Sequence, residues 1–234
     1  IGRLILEKVP FFLFAMGSVA MTLRAAGDGG AIRDLEAFPL SVRILNSVES
    51  YVIYLKKIIF PQDLAFYYPY PSSFSLLFVL ASGCFLILIA IYVWQKKQNQ
   101  PAWITGWFWY LVSLLPVIGL VQVGYQSMAD RYVYLPMIGL LMMVAWGLPR
   151  WDRCRSVRCR ALSLALCCLL VMALSIVARQ QVLFWSSSST LAERAFAVTR
   201  ENHMAHLLMG NILYERKDLA GAAFHYERAL LGRP

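Results

Sequence analysis

Long uncharged stretches dominate this chain, with little of the apolar–polar alternation a water-facing fold needs. Phe74–Trp94, Ala102–Val121, Tyr132–Leu148 and Ala161–Ala178 carry no charged residue. About 20 apolar residues in a helix cover the hydrocarbon core of a bilayer, so each stretch predicts a transmembrane helix. A fifth stretch, Val9–Leu23, is shorter; Leu4, Ile5 and Leu6 extend it across Glu7 and Lys8 if those two side chains snorkel or pair. The segment Leu40–Phe60 has another pattern. Leu40, Ile44, Val48, Tyr51, Val52, Leu55, Ile58 and Ile59 recur at helical spacing, and Arg43, Asn46, Ser47, Glu49, Ser50 and Lys56 fill much of the other side. That predicts an amphipathic helix lying in the membrane interface, with Arg43 facing water or substrate.

Beyond Ala178 the pattern turns soluble. Ser186–Ser189 reads as a hinge or helix start, followed by helices with mixed faces over Thr190–Arg200, His203–Glu215 and Asp218–Leu231. The fold class expected is therefore all-α: a polytopic helical membrane region of about five spans plus one interfacial helix over 1–183, a linker and pre-repeat helix over 184–202, and a helical repeat over 203–234.

Short loops set the orientation. Pro149–Arg160 holds Arg150, Arg153, Arg155, Arg158 and Arg160 against Asp152 alone, and Gln95–Gln100 holds Lys96 and Lys97. The excess of Lys and Arg in cytoplasmic loops puts both inside, which places the Val121–Tyr132 loop and everything after Ala178 outside. For a bacterial cell that means the inner membrane, with the repeat in the periplasm.

Composition agrees with this pattern. Of the 234 residues 59% are hydrophobic and 15% charged, with a mean hydropathy of +0.58; soluble domains run at about 45–50% and about 25%. A disordered chain is excluded and a soluble enzyme disfavoured. The net charge of +9 belongs to the cytoplasmic loops, and no aromatic platform accompanies it, so no nucleic-acid partner is expected. The five cysteines suggest neither a disulfide framework nor zinc: Cys84, Cys167 and Cys168 lie in apolar runs, and Cys154 and Cys159 have no second ligand pair. His203 and His206 stand three apart without a third ligand, so no metal is expected and this region requires no cofactor. Serine-hydrolase, phosphate-loop and zinc-protease motifs do not occur.

Three local motifs carry chemistry. The C-terminal segment matches the tetratricopeptide pattern of a helix–turn–helix, with Gly210, Ala222, Tyr226, Ala229 and Pro234 at the small, small, aromatic, small and proline offsets. Small residues let the two helices approach, Tyr226 is expected to fill the gap between neighbouring repeats, and Pro234 stops the second helix. His206, Met209 and Leu213 stand at the usual Trp, Leu and Tyr positions. One repeat cannot bury its own face, so an internal segment of a longer chain is expected. In the second motif, Ser127–Gly139, Asp130 and Arg131 lie near membrane depth, where ionisable groups are costly and often functional. Arg131 can hold a phosphate through two oxygens, with Asp130 orienting it; structural pairing of the two is the alternative. In the third, Phe60–Pro71, the tyrosines Tyr67, Tyr68 and Tyr70, with Tyr125 from the outer loop, offer either an interfacial belt or a wall for a sugar or lipid head.

In this order, these segments resemble the transmembrane and tetratricopeptide-repeat-containing proteins and their bacterial relatives, which look like GT-C-type glycosyltransferases with a repeat tail. The resemblance rests on Glu7–Phe12, Arg43 with Tyr54 and Leu55, Phe60–Pro61, Leu64 to Pro69, Ala129–Pro136 with Gly139, then Trp185 and Leu191 before the repeat. It implies transfer of a sugar, mannose in the animal members, from a polyprenyl-phosphate donor to a protein hydroxyl. The bilayer, that donor and a protein bound through the repeat are the implied partners. Arg131, Asp130 and Arg43 would serve the donor phosphate. The catalytic base of such enzymes lies in a first outer loop that the resemblance does not place here, so no catalytic residue is assigned. A non-enzymatic membrane-anchored repeat scaffold and an O-antigen polymerase or ligase-like enzyme are the competing classes.

The charge pattern makes the membrane map testable. In a background lacking other cysteines, Ser156→Cys should be labelled only from the cytoplasmic side and Ser187→Cys only from outside; the opposite sidedness would overturn the map.

Overall fold

A computed structural model describes residues 6–28, 38–71, 73–121, 124–147 and 157–232. Most of the arginine-rich loop, Arg3 and Pro234 lie outside the described residues. The described residues are mostly helical, 76% of them in helix. In chain order the elements are α1 (Val9–Asp28), α2 (Leu40–Ile59), strand β1 (Tyr68–Pro69), α3 (Leu76–Gln95), α4 (Pro101–Leu114), strand β2 (Gln126–Met128), a 3-10 turn (Asp130–Val133), α5 (Tyr134–Gly147), α6 (Val157–Phe184), α7 (Ser188–Val198), α8 (His203–Glu215) and α9 (Leu219–Leu231).

Among the described residues two helices are long and apolar enough to cross a membrane, over Leu76–Gln95 and Arg160–Phe184. The second buries none of its apolar window inside the molecule, an arrangement suited to acyl chains. Two of the other expected spans come out shorter. The stretches Ala102–Val121 and Tyr132–Leu148 hold α4 and α5, each 14 residues, or about 21 Å at 1.5 Å per residue, against about 30 Å of hydrocarbon. The cause is local. Pro116 has no amide hydrogen to continue the α4 ladder, and Gly119 (φ 101°) and Gly124 (φ 77°) turn the chain through left-handed conformations. The 3-10 turn then takes Tyr132 and Val133, the first two residues of the next run. In α1 the apolar stretch Val9–Thr22 is likewise short of span length, and Phe11, Phe12, Phe14 and Met16 are exposed on it.

The core is built where α4 and α5 cross. Gly106 and Gly139 face each other so closely that a Cβ on either would strike the other's carbonyl oxygen. Small residues permit this approach, the usual device for joining helices where no water drives them together. Trp109 Nε1 donates to the Leu135 carbonyl (2.9 Å) across the same crossing. Around it pack Tyr54, Val93, Trp107, Tyr110, Leu114, Ile118 and Met128, all buried.

Helix α2 is turned the other way from a helix that shows its polar side to water. Its buried residues are Arg43, Asn46, Ser47, Ser50 and Tyr54, one stripe at three- and four-residue spacing, while Leu40 and Ile44 are 57% and 47% exposed. Arg43 therefore does not face water. It is 6% exposed, and its Nε donates to the Phe38 carbonyl (2.8 Å) and its Nη1 to that of Leu120 (3.4 Å). Asn46 Nδ2 donates to the Ser127 carbonyl (2.9 Å), and the Tyr54 hydroxyl both donates to the Ala129 carbonyl (3.1 Å) and accepts from its amide (3.0 Å). Tyr51 donates to the Leu111 carbonyl (2.7 Å), and Tyr110 returns a bond to the Tyr51 carbonyl (2.6 Å). The irregular chain between α4 and α5 needs partners for its backbone polar groups, and α2 supplies them. Beside it, β1 and β2 pair antiparallel as a two-stranded ribbon, Tyr68 opposite Met128.

After α6 the chain breaks at Trp185–Ser187, and Ser187 and Thr190 form a reciprocal cap that starts α7. Asn202 and Asp218 cap α8 and α9 through their side chains. The two helices form an antiparallel hairpin with Gly210, Ala222 and Ala229 buried at the contact, and α7 packs on α8 through Ala192, Ala195 and Ala205. Tyr226 fills a gap inside this hairpin, where a Cβ on Gly210 would meet its ring at 2.7 Å, and its hydroxyl donates to Asn211 Oδ1 (2.9 Å). The contact of Tyr226 seen here is the one inside the hairpin, with its ring half-buried.

The helix crossing predicts opposite outcomes at two kinds of glycine. Gly106→Val or Gly139→Val should destabilise the fold by about 1–3 kcal/mol, because the added carbons meet backbone that cannot rotate away. Gly17→Ala on α1, where nothing lies within 4 Å, should be neutral or stabilising. Thermal unfolding in detergent micelles separates the two.

Candidate functional site

Where the end of α2, the ribbon and the 3-10 turn meet, three polar side chains converge. Lys57 continues the buried polar stripe of α2. Its Nζ donates to the Tyr68 hydroxyl (2.7 Å) and to the Asp63 carbonyl (2.9 Å), and lies 3.8 Å from Asp130 Oδ1. The Tyr68 hydroxyl donates to Asp130 Oδ2 (2.7 Å) and accepts from the Ala65 amide (2.7 Å). Tyr68 is thus the hub of the cluster, and Lys57 also stands 4.4 Å from its ring centroid. The left-handed residue Asp63 (φ 55°) turns the chain so that its carbonyl reaches Lys57.

Burial dominates the charges here. It pushes the Asp130 carboxyl up from its ordinary value, against the downward pull of Lys57, the Tyr68 hydroxyl and the Ala65 amide. It pushes the Lys57 ammonium down, against the upward pull of Asp130 and Asp63. The Tyr68 hydroxyl is raised by burial and by the neighbouring Asp130 carboxylate, so it stays a neutral donor.

Two cavities flank the cluster. The larger is a cleft of about 770 Å³ between the polar stripe of α2, the ribbon and the ends of the helical hairpin; Glu49, Ser50, Tyr70, Arg200, Glu201 and His203 are among the residues that line it. Tyr68 lines it too. The smaller, about 280 Å³, lies between the end of α6 and the start of α7 and is bordered by Asp130 and Arg194. Tyr68 touches the cleft and holds Asp130, which borders the other cavity, so one side chain stands between the two.

The residues expected at a donor-phosphate site are dispersed. Asp130 takes Lys57 and Tyr68 as its partners, so it does not serve to orient Arg131. Arg131 is exposed, with its guanidinium carbon 5.2 Å from the Tyr132 ring centroid. Arg43 is committed to backbone carbonyls, away from both. The tyrosines fare differently: Tyr67, Tyr70 and Tyr125 come together around Phe38 and His203, while Tyr68 turns to Lys57 and Asp130. Tyr70 lies 4.5 Å and Tyr125 6.4 Å from the Phe38 ring. Tyr67 is bonded through its hydroxyl to His203 Nε2 (3.1 Å), and its carbonyl accepts from Asn202 Nδ2 (3.1 Å). The ribbon and the hairpin are joined there. His206 points elsewhere, its Nδ1 3.0 Å from that of His225, so the histidines three apart share no site.

Lys57 and Arg194 escape the sequence motifs, and Asp63 lies within the Phe60–Pro71 motif without being singled out. Lys57 had a signal: it stands three residues past Tyr54, in register with the stripe through Arg43, Asn46, Ser47 and Ser50. Arg194, on a mixed-face helix, had none. No protein-family model, curated protein or solved structure matches the chain.

The hub role of Tyr68 gives a sharp expectation. Tyr68→Phe leaves the Ala65 amide, Lys57 and Asp130 short of a partner, and each buried polar group left unmet costs about 1–3 kcal/mol. Its midpoint of thermal unfolding should fall well below that of Arg131→Ala, whose side chain is exposed and should be close to neutral.

Proposed function

We propose that this chain is the later part of a membrane glycosyltransferase, which moves a sugar from a polyprenyl-phosphate donor to a protein acceptor and uses its helical hairpin as one tetratricopeptide-type unit to hold the acceptor or a partner. In this reading α3 and α6 span the membrane with α1, α4 and α5 as shorter or tilted companions. Helix α2 lies along the outer interface with its apolar side in lipid, and the hairpin stands in the periplasm of a bacterial cell.

The observation that carries the reading is the 770 Å³ cleft. It sits on the seam between helices whose apolar faces are exposed and a hairpin with a water-facing composition. A lipid-borne sugar and a protein can meet only on such a seam. Its lining is polar and aromatic, with Glu49, Tyr70, Arg200 and Glu201 facing one volume, which suits a hydroxylated substrate more than an acyl chain. The direct bonds from Tyr67 to Asn202 and His203 support the same reading. A mere tether would not need the hairpin fixed against the membrane region. Arg131 is assigned the donor phosphate, because its planar fork holds two phosphate oxygens where an ammonium is a single point charge. Arg43 is released from that role. The residues described supply binding and positioning, and the reading gives none of them the part of catalytic base.

The test uses membranes carrying the full reading frame and radiolabelled polyprenyl-phosphate sugars. Sugar should pass to protein, and Arg131→Ala should cut transfer about tenfold, the loss of roughly 1.4 kcal/mol of binding, with yield and insertion unchanged. Arg131→Lys should recover only part of it. Normal donor binding in Arg131→Ala would remove the phosphate role. Absence of transfer with every donor, alongside a protein captured by the hairpin, would favour the scaffold.

A further inference from the structure

The smaller cavity has features that the transferase reading does not use. Its walls are aromatic and apolar, with Phe66, Tyr134, Phe184 and Trp185 around it, and three polar side chains border it: Asp130, Gln181 and Arg194. Two of those carry a buried atom without a hydrogen-bond partner among the described residues, Asp130 Oδ1 and Arg194 Nε. One is an acceptor and the other a donor.

Both groups are held in place by their other atoms. Asp130 is fixed through Oδ2 by the Tyr68 hydroxyl (2.7 Å), with Lys57 Nζ 3.8 Å from Oδ1. Arg194 Nη2 lies 3.6 Å from Asp63 Oδ1, and its guanidinium carbon sits 4.7 Å from the Phe184 ring centroid. The side chains are therefore anchored while one polar atom on each, Asp130 Oδ1 beside its ion-pair partner Lys57 and Arg194 Nε, makes no hydrogen bond among the described residues. A buried polar group without a hydrogen bond is costly, and folded proteins leave few of them without a reason.

A ligand that meets both atoms must donate to a carboxylate oxygen and accept from a guanidinium N–H. A hydroxyl group does both. An anion would meet the Asp130 carboxylate at close range, and a cation would meet Arg194 and Lys57, so the ligand is neutral. Aromatic walls suit the C–H faces of a sugar ring, whose edge carries the hydroxyls. At about 280 Å³ the cavity falls just under the range of about 300–1,000 Å³ for small-molecule sites, which suits one ring better than two. It is also too large to be filled by one water, whose share of liquid volume is about 30 Å³.

We infer that the cavity between the end of α6 and the start of α7 is a binding subsite for a single neutral sugar ring, held by Asp130 and Arg194 against the aromatic wall. The source of that ring, a lipid-linked donor or a free or protein-bound glycan, rests on the transferase reading; the subsite itself rests on the cavity. Arg131 and its phosphate role are separate from it, since Arg131 is not among the residues that border the cavity.

The experiment is saturation-transfer NMR on the full chain in lipid nanodiscs, with methyl glycosides of glucose, galactose, mannose and N-acetylglucosamine as probes. At least one should show saturation of its ring C–H protons. Arg194→Lys keeps a cation opposite Asp63 but loses the planar Nε–H, and should weaken that binding about tenfold. Asp130→Asn and Gln181→Leu test the wall independently should either fail to fold, and Lys217→Gln on the hairpin turn should change nothing. Folded yield is read from the thermal transition of each variant. Displacement of the glycoside by a polyprenyl-phosphate-linked sugar, but not by the sugar-free lipid phosphate, supports the subsite and gives the ring to a lipid-linked donor. Displacement by neither supports it and gives the ring to a free or protein-bound glycan. Displacement by the sugar-free lipid phosphate overturns it, because the phosphate then fills the cavity. So does the absence of any glycoside signal, which marks a cavity that holds water only, and so does unchanged binding in folded Arg194→Lys. Glycoside binding without sugar transfer would leave the subsite standing and remove the transferase reading; transfer without glycoside binding would do the reverse.

Discussion

Backbone satisfaction by the inward stripe of α2 is the constraint on which the rest of the molecule depends. Between α4 and α5 the chain is neither helix nor long strand, and its carbonyls and amides need partners that water supplies in an ordinary loop. Arg43, Asn46, Ser47 and Tyr54 take water's place. The bond pair between the Tyr54 hydroxyl and both backbone groups of Ala129 is the clearest instance, one side chain closing a donor and an acceptor at once. Holding Ala129 fixes Asp130 beside it, and holding Ser127 fixes the ribbon partner of Tyr68. The position of the polar cluster therefore follows from a helix that contributes just one residue, Lys57, to it.

This arrangement explains why the site is divided. Tyr68 is pinned by strand pairing along its backbone and by four polar partners at its hydroxyl, Lys57, Asp63, Ala65 and Asp130. A ring held at both ends makes a firm partition, with the larger polar cleft on one side and the smaller aromatic cavity on the other. The larger volume has room for a bulky group. The smaller, walled by Phe184 and Trp185 at the end of a long apolar helix, has room for a compact one.

The helical character, the position of the soluble hairpin and the two full-length apolar helices were legible in the sequence, because each rests on local periodicity and composition. Gly210 and Tyr226 illustrate what was half legible. Their offsets announced a close contact, but only the packing shows that the contact lies within one hairpin. The shortened α4 and α5 were missed because an uncharged run gives no sign of where its helix stops; Pro116 and Gly119 held that information and were counted as part of the run. The orientation of α2 was misread for a deeper reason. A two-faced helix looks the same in sequence whether its polar side meets water or meets the backbone of a neighbour, and the choice depends on what segment 115–129 needs. Arg43 and Asp130 were credited with substrate roles by their charge, yet their partners are a pair of carbonyls in one case and Lys57 with Tyr68 in the other. Arg194 could not have been found, since its importance comes only from the place where α7 meets the end of α6.

The neighbours Tyr67 and Tyr68 have one further consequence. The first grips the start of α8 through His203 and Asn202; the second grips Lys57 and Asp130. A single peptide bond, planar and stiff, therefore connects the hairpin to the ion cluster. The hairpin is thus not hung on a loose tether. A displacement of α8 has a short, stiff route to the residues that stand between the two cavities.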